Sequence, residues 1–425
     1  MRIKIAWRDL ARKPVQNILS VLIGGVAIAL AVAVLLISAS VEKGMVDAAM
    51  PFDMIVGAKG SPTQLILNTI FLADSPLGNI PASVQEELLA DERVERVIPF
   101  AFGDNYLGYR IVGSSADLFT IRVAPDKDPV FQLAEGHFFA DESRQSVNQA
   151  DHDEDHGEDH HQDHHEDHHE DHHFPVVLGA EVARQSGLKL GDSFLSTHGL
   201  AHNGEEGEQH QHAMEVVGIL QPMNLPYDKG IFTSVEAIWE AHASTDREIS
   251  ALMVTPVSYP GLMEVYQEIN KDYRAQAALP GAVMADLFSI LGQSTDILRA
   301  ISWIVLAMAL IALAISLNWS AVNRTRDNAI LRVLGAVRKD ILSIVIIQGL
   351  VIAVSASILG LILGHLSAWG VARYIKTTTA IYSPANFVIE EIWLILIAIA
   401  LSLVLSLIPA IRSYRADVVE DLALK

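Results

Sequence analysis

Four stretches of this chain contain no Asp, Glu, Lys or Arg over a length that can cross a lipid bilayer. They are Pro14–Val41, Ala300–Asn323, Ile341–Ala372 and Ile392–Ile411. A transmembrane helix needs about 20 predominantly apolar residues, and each stretch is long enough. The first exceeds the roughly 7–15 apolar residues of a secretory signal peptide, so we interpret it as an uncleaved anchor. The sequence therefore predicts a membrane protein with four transmembrane α-helices.

The distribution of Lys and Arg predicts the orientation of these helices, because cytoplasmic segments are enriched in both residues. Basic residues cluster in both terminal segments and between the second and third helices. They are Arg2, Lys4, Arg8, Arg12, Lys13, Arg324, Arg326, Arg332, Arg338, Lys339, Arg412, Arg415 and Lys425. Both termini are thus expected in the cytoplasm. Residues 1–41 form the N-terminal helix and first span, residues 42–298 a large extracytoplasmic domain, and residues 299–425 the remaining spans.

The segment of residues 42–298 has the pattern of an α+β domain, in which short apolar strands alternate with amphipathic helices. Ser83–Arg96 is predicted to be a surface helix and Val97–Phe102 a strand. The stretches Ser193–Ser196 and Met214–Leu220 are expected to pair as a hairpin. From Ala282 onward, a helical pattern is expected to continue without a break into the second membrane span.

Two histidine-rich segments interrupt this domain, residues 151–173 and residues 197–212 at the tip of the expected hairpin. The first contains ten His and eleven carboxylates, and the chain has no Cys. Imidazole and carboxylate suit divalent transition metals, and we predict Zn²⁺ as the bound metal ahead of other divalent ions. The candidate ligands are His152, His156, His160, His161, His164, His165, His168, His169, His172, His173, His198, His202, His210 and His212. His137 is either a further metal ligand or a residue without a role in metal binding.

The histidine-rich segments do not by themselves make the metal a transported cargo. Tracts of His, Asp and Glu also occur as solvated low-complexity loops, which is the alternative interpretation of residues 151–173. A zinc path through the bilayer should place Asp, Glu or His inside the spans, and His365 alone meets that condition in the four stretches. The formal net charge of −21 argues against nucleic acid as a partner, because phosphate binding needs a basic face.

Four parts of the sequence resemble the MacB/FtsX-like permeases of ABC transporters, which include the lipoprotein-releasing and macrolide-export permeases. These parts are IAWRDLARKPVQNILSVLIGGVAIAL (Ile5–Leu30), FDMIVGAKGSPTQLILNTIF (Phe52–Phe71), LAEGHFF (Leu133–Phe139) with VVLGAEVARQSGLKLGDSF (Val176–Phe194), and RTRDNAILRVLGAVRKDIL (Arg324–Leu342). The order of parts is also similar, with one large outer domain after the first helix and three helices at the C-terminal end.

The resemblance implies a non-catalytic permease subunit of a bacterial inner membrane, present as a homodimer and bound to a separate cytoplasmic ABC ATPase. ATP would act only through that partner, and the chain has no G-x-x-x-x-G-K-[ST] motif of its own. The resemblance also implies that the loop of residues 324–340 contacts the ATPase. The residues expected to couple the two are Arg326, Ile330, Leu331, Arg332, Leu334 and Gly335. Membrane lipid and a periplasmic metal-binding protein or lipoprotein are further expected partners.

Two classes of function follow from these features. In the first, the permease couples ATP hydrolysis mechanically to periplasmic work in zinc uptake or zinc-responsive transport. In the second, it is a mechanotransmitter or exporter that acts on a lipoprotein, a cell-wall hydrolase, a peptide or a lipid. The histidine-rich segment would then be a metal buffer alone. An enzyme is not expected, because no nucleophile, base and orienting group assemble around any motif.

Overall fold

The computed structural model describes residues 2–12, 14–140, 173–199, 209–242, 247–322, 337–382, 384 and 386–415. Its contacts divide the chain into two units. The helical unit consists of Met1–Glu42, Ile290–Tyr374 and Ser383–Lys425, and the sheet domain consists of Lys43–Ser289 and Ile375–Tyr382. The sheet domain is thus built from two separate parts of the chain.

The described residues contain helices and strands in an irregular alternation. The helices are α1 (Arg2–Arg12), α2 (Pro14–Ala49), α3 (Pro62–Thr69), α4 (Ala82–Leu89), α5 (Ala180–Ser186), α6 (Val235–Ala241), α7 (Tyr259–Lys271), α8 (Pro280–Val322), α9 (Arg338–Thr379) and α10 (Ile389–Arg415). The strands are β1 (Met54–Gly57), β2 (Ile80–Pro81), β3 (Val94–Tyr106), β4 (Tyr109–Ser114), β5 (Leu133–Gly136), β6 (Phe174–Leu178), β7 (Ser193–His198), β8 (Gln209–Leu220), β9 (Gly230–Ser234), β10 (Glu248–Ile249), β11 (Ala251–Pro256) and β12 (Gln276–Ala278).

Three helices in the described part of the chain are long and apolar enough to cross a membrane. They are Pro14–Ala49, Leu342–Thr379 and Ile389–Leu407, and they coincide with the first, third and fourth predicted spans. The second predicted span lies in α8, whose backbone is helical from Pro280 to Val322. The unbroken helix expected from Ala282 is therefore observed, whereas a membrane crossing by α8 stays a prediction.

Four helices of the helical unit share one apolar core. Val32 of α2, Leu306 of α8, Ala368 of α9 and Leu394 of α10 are buried members of the same cluster. Each helix therefore contributes a buried stripe, and the remaining large apolar side chains of these helices include many that are exposed. Such exposure is expected of helices that face lipid rather than water.

Small residues on α9 permit a close approach to α2. A Cβ atom added to Gly360 would lie 2.6 Å from the Cβ of Ile28, and one added to Gly364 would lie 2.7 Å from a methyl carbon of Val32. Both distances are far inside van der Waals contact, so a larger residue at either position would force the helices to move apart. The glycines of the third apolar stretch therefore serve helix packing, as small residues do between membrane helices.

His365 in α9 lies beside a buried carboxylate of α10. Its Nδ1 donates to the carbonyl oxygen of Leu361 at 3.2 Å, and its Nε2 lies 3.6 Å from Oε2 of Glu391. Glu391 is fully buried, and its Oε1 accepts the backbone N–H of Val388 at 3.0 Å. The sequence predicts His365 to be the one ionisable group of the spans. The structure adds Glu391 as a second ionisable group of the apolar helices, because α10 begins at Ile389, before the predicted start of the fourth span.

The sheet domain is built on a ten-stranded sheet with the order β12-β1-β11-β3-β4-β9-β6-β8-β5. The strand outside this order, β7, pairs with both β8 and β3. Hydrogen-bonded neighbours therefore form a closed path from β3 through β4, β9, β6, β8 and β7 back to β3. We call these six strands the strand ring.

Apolar side chains cover both faces of the central strands. Ile98 and Phe100 of β3 belong to one buried cluster, whereas Val97 of the same strand belongs to another. Successive side chains of a strand point to opposite faces, so the two clusters lie on opposite sides of the sheet. The α+β composition predicted for this part of the chain is observed.

The predicted hairpin is observed between β7 and β8. Phe194 pairs with Met214, and nearer the tip Thr197 pairs with Gln209. The strands extend beyond the predicted apolar stretches into the second histidine-rich segment. His198 and His210 therefore belong to regular strands at the tip of the hairpin.

The predicted surface helix over Ser83–Arg96 is wrong in its second half. The helix α4 ends at Leu89, and β3 begins at Val94. In the turn between them, Oδ1 of Asp91 accepts the backbone N–H of Arg93 at 2.9 Å. Such local side-chain bonds compete with helical hydrogen bonds, which explains why the polar run does not continue the helix.

Candidate metal centre

Four potential metal ligands from four different elements converge at one point of the strand ring. Asp104 lies in β3, His198 ends β7, His210 lies near the start of β8, and His242 directly follows α6. One ligand atom from each residue lies within 4.8 Å of the others. We call these four residues the Asp-His cluster.

Strand pairing brings three members of the Asp-His cluster together. Asp104 and His198 are direct partners in the antiparallel pair of β3 and β7. Side chains of directly opposite residues lie on the same face of a sheet, with Cβ atoms about 4.5–5.5 Å apart. His210 joins them because the hairpin pairs β8 with β7, and the imidazole centroids of His198 and His210 are 4.0 Å apart.

The helix α6 positions the fourth member, His242. Ser234 caps the start of α6, with its Oγ accepting the backbone N–H of Ala237 at 3.1 Å. At the other end, the backbone N–H of His242 donates to the carbonyl oxygen of Ile238 at 3.2 Å. Ile238 is buried in an apolar cluster with strands of the ring, which fixes the end of the helix next to β3.

The carboxylate of Asp104 is the common partner of the three imidazoles. Its Oδ1 lies 3.0 Å from Nε2 of His210 and 3.5 Å from Nδ1 of His198, and its Oδ2 lies 3.2 Å from Nε2 of His242. The exposed fraction of the side chain is 0% for Asp104 and 5% for His210, but 28% for His242 and 45% for His198. The cluster is therefore closed around Asp104 and open to solvent at His198.

The electrostatics of the cluster favour a charged carboxylate. Burial alone would raise the pKa of Asp104, but hydrogen bonds from His242 and His210 outweigh burial and leave this pKa below its usual value. The hydrogen bond to Asp104 in turn raises the pKa of His242, against the opposing effect of burial. A buried anion held by imidazoles is thus stable in this position, as a buried charge must be paired.

The residues of the Asp-His cluster fit a divalent transition metal. Tetrahedral zinc sites take His nitrogen and carboxylate oxygen at about 2.0–2.2 Å, which separates neighbouring ligand atoms by about 3.3 Å. The imidazole nitrogens lie near that separation from the carboxylate, at 3.0 and 3.5 Å from Oδ1 of Asp104 and 3.2 Å from its Oδ2. Four side chains would complete a closed tetrahedral site, the type that holds a structural metal. Because a metal binds imidazole in its neutral form, metal binding would release protons.

The structure describes four of the predicted metal ligands. His198 and His210 belong to the Asp-His cluster. His212 lies further along β8, where its ring centroid is 5.5 Å from that of Phe174. The Nδ1 of His173 lies 3.9 Å from Oε2 of Glu215. His137 is exposed after β5, and its backbone N–H donates to Val217.

The other predicted site residues lie outside the described residues. They are His152, His156, His160, His161, His164, His165, His168, His169, His172 and His202, together with Arg326, Ile330, Leu331, Arg332, Leu334 and Gly335 of the coupling loop. Their roles in metal binding and in ATPase coupling stay predictions.

Sequence reasoning missed Asp104 and His242. A signal for Asp104 exists in the stretch IPFAFGDNY (Ile98–Tyr106), where a carboxylate interrupts an apolar strand and needs a partner if it is buried. His242 lies in a short helical segment with the pattern of a protein surface and offers no comparable signal. Both residues are distant in sequence from His198 and His210, and tertiary contacts alone bring them to the site.

Comparisons with known proteins found one family match and similarity to solved structures. Residues 299–418 match the family described as FtsX-like permease C-terminal. No curated protein matches the chain significantly. The chain is similar to the crystal structure of the extracellular domain of the noncanonic ABC-type transporter YknZ from Gram-positive bacteria, with 11% sequence identity and a TM-score of 0.31. That similarity covers 53% of this chain and 98% of the other.

Proposed function

Since residues 299–418 match the FtsX-like permease C-terminal family, we propose that the chain is the membrane subunit of an ABC transporter that works by mechanotransmission. A separate cytoplasmic ATPase hydrolyses ATP, and a homodimer of this chain transmits the resulting movement to the extracytoplasmic sheet domain. The work performed there belongs to zinc uptake or zinc-responsive transport. Both termini lie in the cytoplasm, and the membrane is the inner membrane of a bacterium.

The observation that carries the zinc assignment is the Asp-His cluster. A fully buried carboxylate with three imidazole nitrogens at 3.0–3.5 Å offers the donor set that zinc prefers when thiolate is absent. A site with four protein ligands retains its metal, because it has no open position for exchange with substrate. The cluster therefore suits sensing or storage of zinc better than catalysis.

The ends of both histidine-rich segments support a common role with the cluster. The first segment ends at His173. The next residue, Phe174 of β6, pairs with Met214 of β8, the strand that contains His210 of the cluster. The second segment connects β7 to β8, in which His198 and His210 are cluster members. Ligand-rich segments that adjoin a closed site support a division of labour: the segments capture zinc, and the cluster holds one ion firmly.

The helical unit supports a regulatory role for zinc rather than passage through the bilayer. In the described parts of its apolar helices, the pair of His365 and Glu391 provides candidate metal ligands near one end of α9 and α10. A continuous path for Zn²⁺ would need such groups at several depths of the membrane. The ABC system therefore responds to zinc through its outer domain.

Zinc titration of the full-length chain tests this proposal. The protein in detergent should bind several Zn²⁺ ions by isothermal titration calorimetry, because residues 151–172 offer many imidazoles and carboxylates. Deletion of residues 151–172 should remove most of these ions and leave one tightly bound ion per chain at the Asp-His cluster. A shortened chain that binds no zinc would contradict the assignment of the cluster.

The second test concerns zinc control of the assembled transporter. With its ATPase subunit in lipid nanodiscs, the complex should hydrolyse ATP at a rate that changes when zinc is added or chelated. His210→Gln should abolish that response, while His212→Gln on the same strand should keep it. A rate that is indifferent to zinc in the unaltered complex would favour the second class of function, in which the histidines only buffer metal.

The coupling loop provides a further prediction for the ATPase partner. Leu331→Asp should reduce co-purification of the ATPase subunit about tenfold or more, because a charge would replace an apolar anchor of the interface. Leu422→Asp makes the same change in the predicted cytoplasmic C-terminal segment and should leave the association intact. Equal losses in both variants would show that this loop has no special part in coupling.

A further inference from the structure

The pairing of β7 with β3 is one of the two shortest in the strand ring, together with that of β6 with β9. The pairing of β7 with β3 consists of Asp104 with His198 and Asn105 with Thr197. By contrast, β4 and β9 are paired over five residues from Arg110 to Ser114. We call residues 103–105 and 197–199 the seam of the ring.

A few hydrogen bonds hold the seam beside the Asp-His cluster. The side chain of Asn105 donates to the carbonyl oxygen of Gly199 at 2.6 Å, and Thr197 Oγ1 donates to the carbonyl oxygen of Asn105 at 3.1 Å. The backbone N–H of Gly199 donates to the carbonyl oxygen of Gly103 at 2.8 Å. Each such bond contributes only about 1 kcal/mol net. A contact of this length can therefore open locally while the rest of the sheet stays paired.

The Asp-His cluster has ligands on both sides of the seam. His198 and His210 belong to the β7–β8 hairpin. Asp104 belongs to β3, and His242 follows α6, which packs against β3 and β4 through Ile238 and Val235. Each side of the seam thus supplies two ligands, and no ligand set from the hairpin alone would include the buried carboxylate.

We propose that Asp104, His198, His210 and His242 fasten the seam of the strand ring when they share a divalent cation. Metal occupancy then shifts the balance between a hairpin fixed to β3, which the contacts of Asp104 with His198 and His210 already favour, and one that separates from it. This inference rests on the proposed function, since it assumes that the cluster holds zinc, and it assigns to the metal a structural effect. The exposed ring of His198 lies on the side from which the ion would arrive.

The effect is specific to the seam because the ligands of the Asp-His cluster lie on its two sides. The pairing of β6 with β9 is equally short, at Val177–Phe232 and Leu178–Ile231, but it carries no member of the cluster. Opening of the hairpin would break the contact at Asp104–Asn105 but leave β8 paired with β6 from Phe174 to Leu178. A ligand that binds the closed form alone shifts the equilibrium toward closure by mass action. Zinc would therefore convert a mobile hairpin into a fixed part of the sheet domain.

Hydrogen–deuterium exchange of the full-length chain, followed by mass spectrometry, tests the inference. Residues 193–199 and 209–214 should exchange up to about 100-fold more slowly at free zinc 100 times above its Kd than with a chelator. Peptides from β1 and β12, which β11 separates from β3 in the strand order, should not change. His198→Gln should remove the protection, and His212→Gln should retain it, since its side chain lies outside the cluster.

Two outcomes separate this inference from the function on which it rests. If calorimetry shows one tightly bound zinc that His198→Gln weakens, but exchange at the seam is unchanged by zinc, the cluster binds metal without fastening the hairpin. If no zinc binds at the cluster, both proposals fail. Because His198 is half exposed, its replacement should leave folding intact, and the exchange of β1 and β12 reports whether it does.

Discussion

Asp104→Asn should weaken zinc binding at the Asp-His cluster by about 100-fold or more. Loss of a group that merely orients a ligand costs about 10–100-fold in affinity, and Asp104 contacts all three imidazoles directly. The substitution keeps the size of the side chain but removes the carboxylate charge that zinc prefers. The affinity is measured by competition with a chelator in a chain that lacks residues 151–172, so that one site is observed.

A carboxylate of the β7–β8 hairpin, Glu215, provides the control. Glu215→Gln changes the formal charge equally, but Glu215 is partly exposed and faces His173 rather than the cluster. Its zinc affinity should equal that of the unaltered chain. Unchanged affinity in Asp104→Asn, in protein whose circular dichroism and thermal midpoint are normal, would rule out the cluster as the zinc site.

The second large effect concerns the packing of α2 and α9. Gly360→Leu should destabilise the helical unit by about 1–3 kcal/mol or more, since its Cβ alone would lie 2.6 Å from Ile28 and 3.0 Å from the carbonyl oxygen of Gly25. The backbone of α2 cannot move aside as a flexible side chain could. The thermal midpoint of the purified protein in detergent should therefore fall clearly.

Gly370→Leu is the matched control on the same helix. A Cβ atom added there meets no atom within 4 Å, so the larger side chain has space. Its midpoint should equal or exceed the original, because leucine also favours helix more than glycine does. Similar midpoints for Gly360→Leu and Gly370→Leu would contradict the close contact between α2 and α9.

The features of the fold that follow from local pattern could be predicted from the sequence. Apolar length identifies the helices, as the coincidence of the third predicted span, Ile341–Ala372, with the helix Leu342–Thr379 shows. Alternating apolar residues identify the hairpin of β7 and β8. The end of α4 could not be placed, because a single Asx turn at Asp91 outweighs the helical pattern of the residues that follow.

The candidate metal site was predictable only in part for a related reason. His198 and His210 lie at the tip of one hairpin, so their proximity follows from a local pairing. Asp104 reaches them through the closure of the strand ring, and His242 through the packing of α6. Composition directs attention to the dense run of residues 151–173, whereas a ligand in an apolar strand stands alone in the sequence and gains partners only in the folded chain.

The division of the sheet domain between two parts of the chain determines how it can be produced alone. A fragment that ends at Ser289 would lack Ile375–Tyr382. Lys229 would lose the carbonyl oxygens of Thr377 and Thr378, each 2.7 Å from its Nζ, and Asn224 would lose the Lys376 ammonium. A soluble version of this domain should therefore be more stable when a linker joins the segment of residues 375–382 to the main piece.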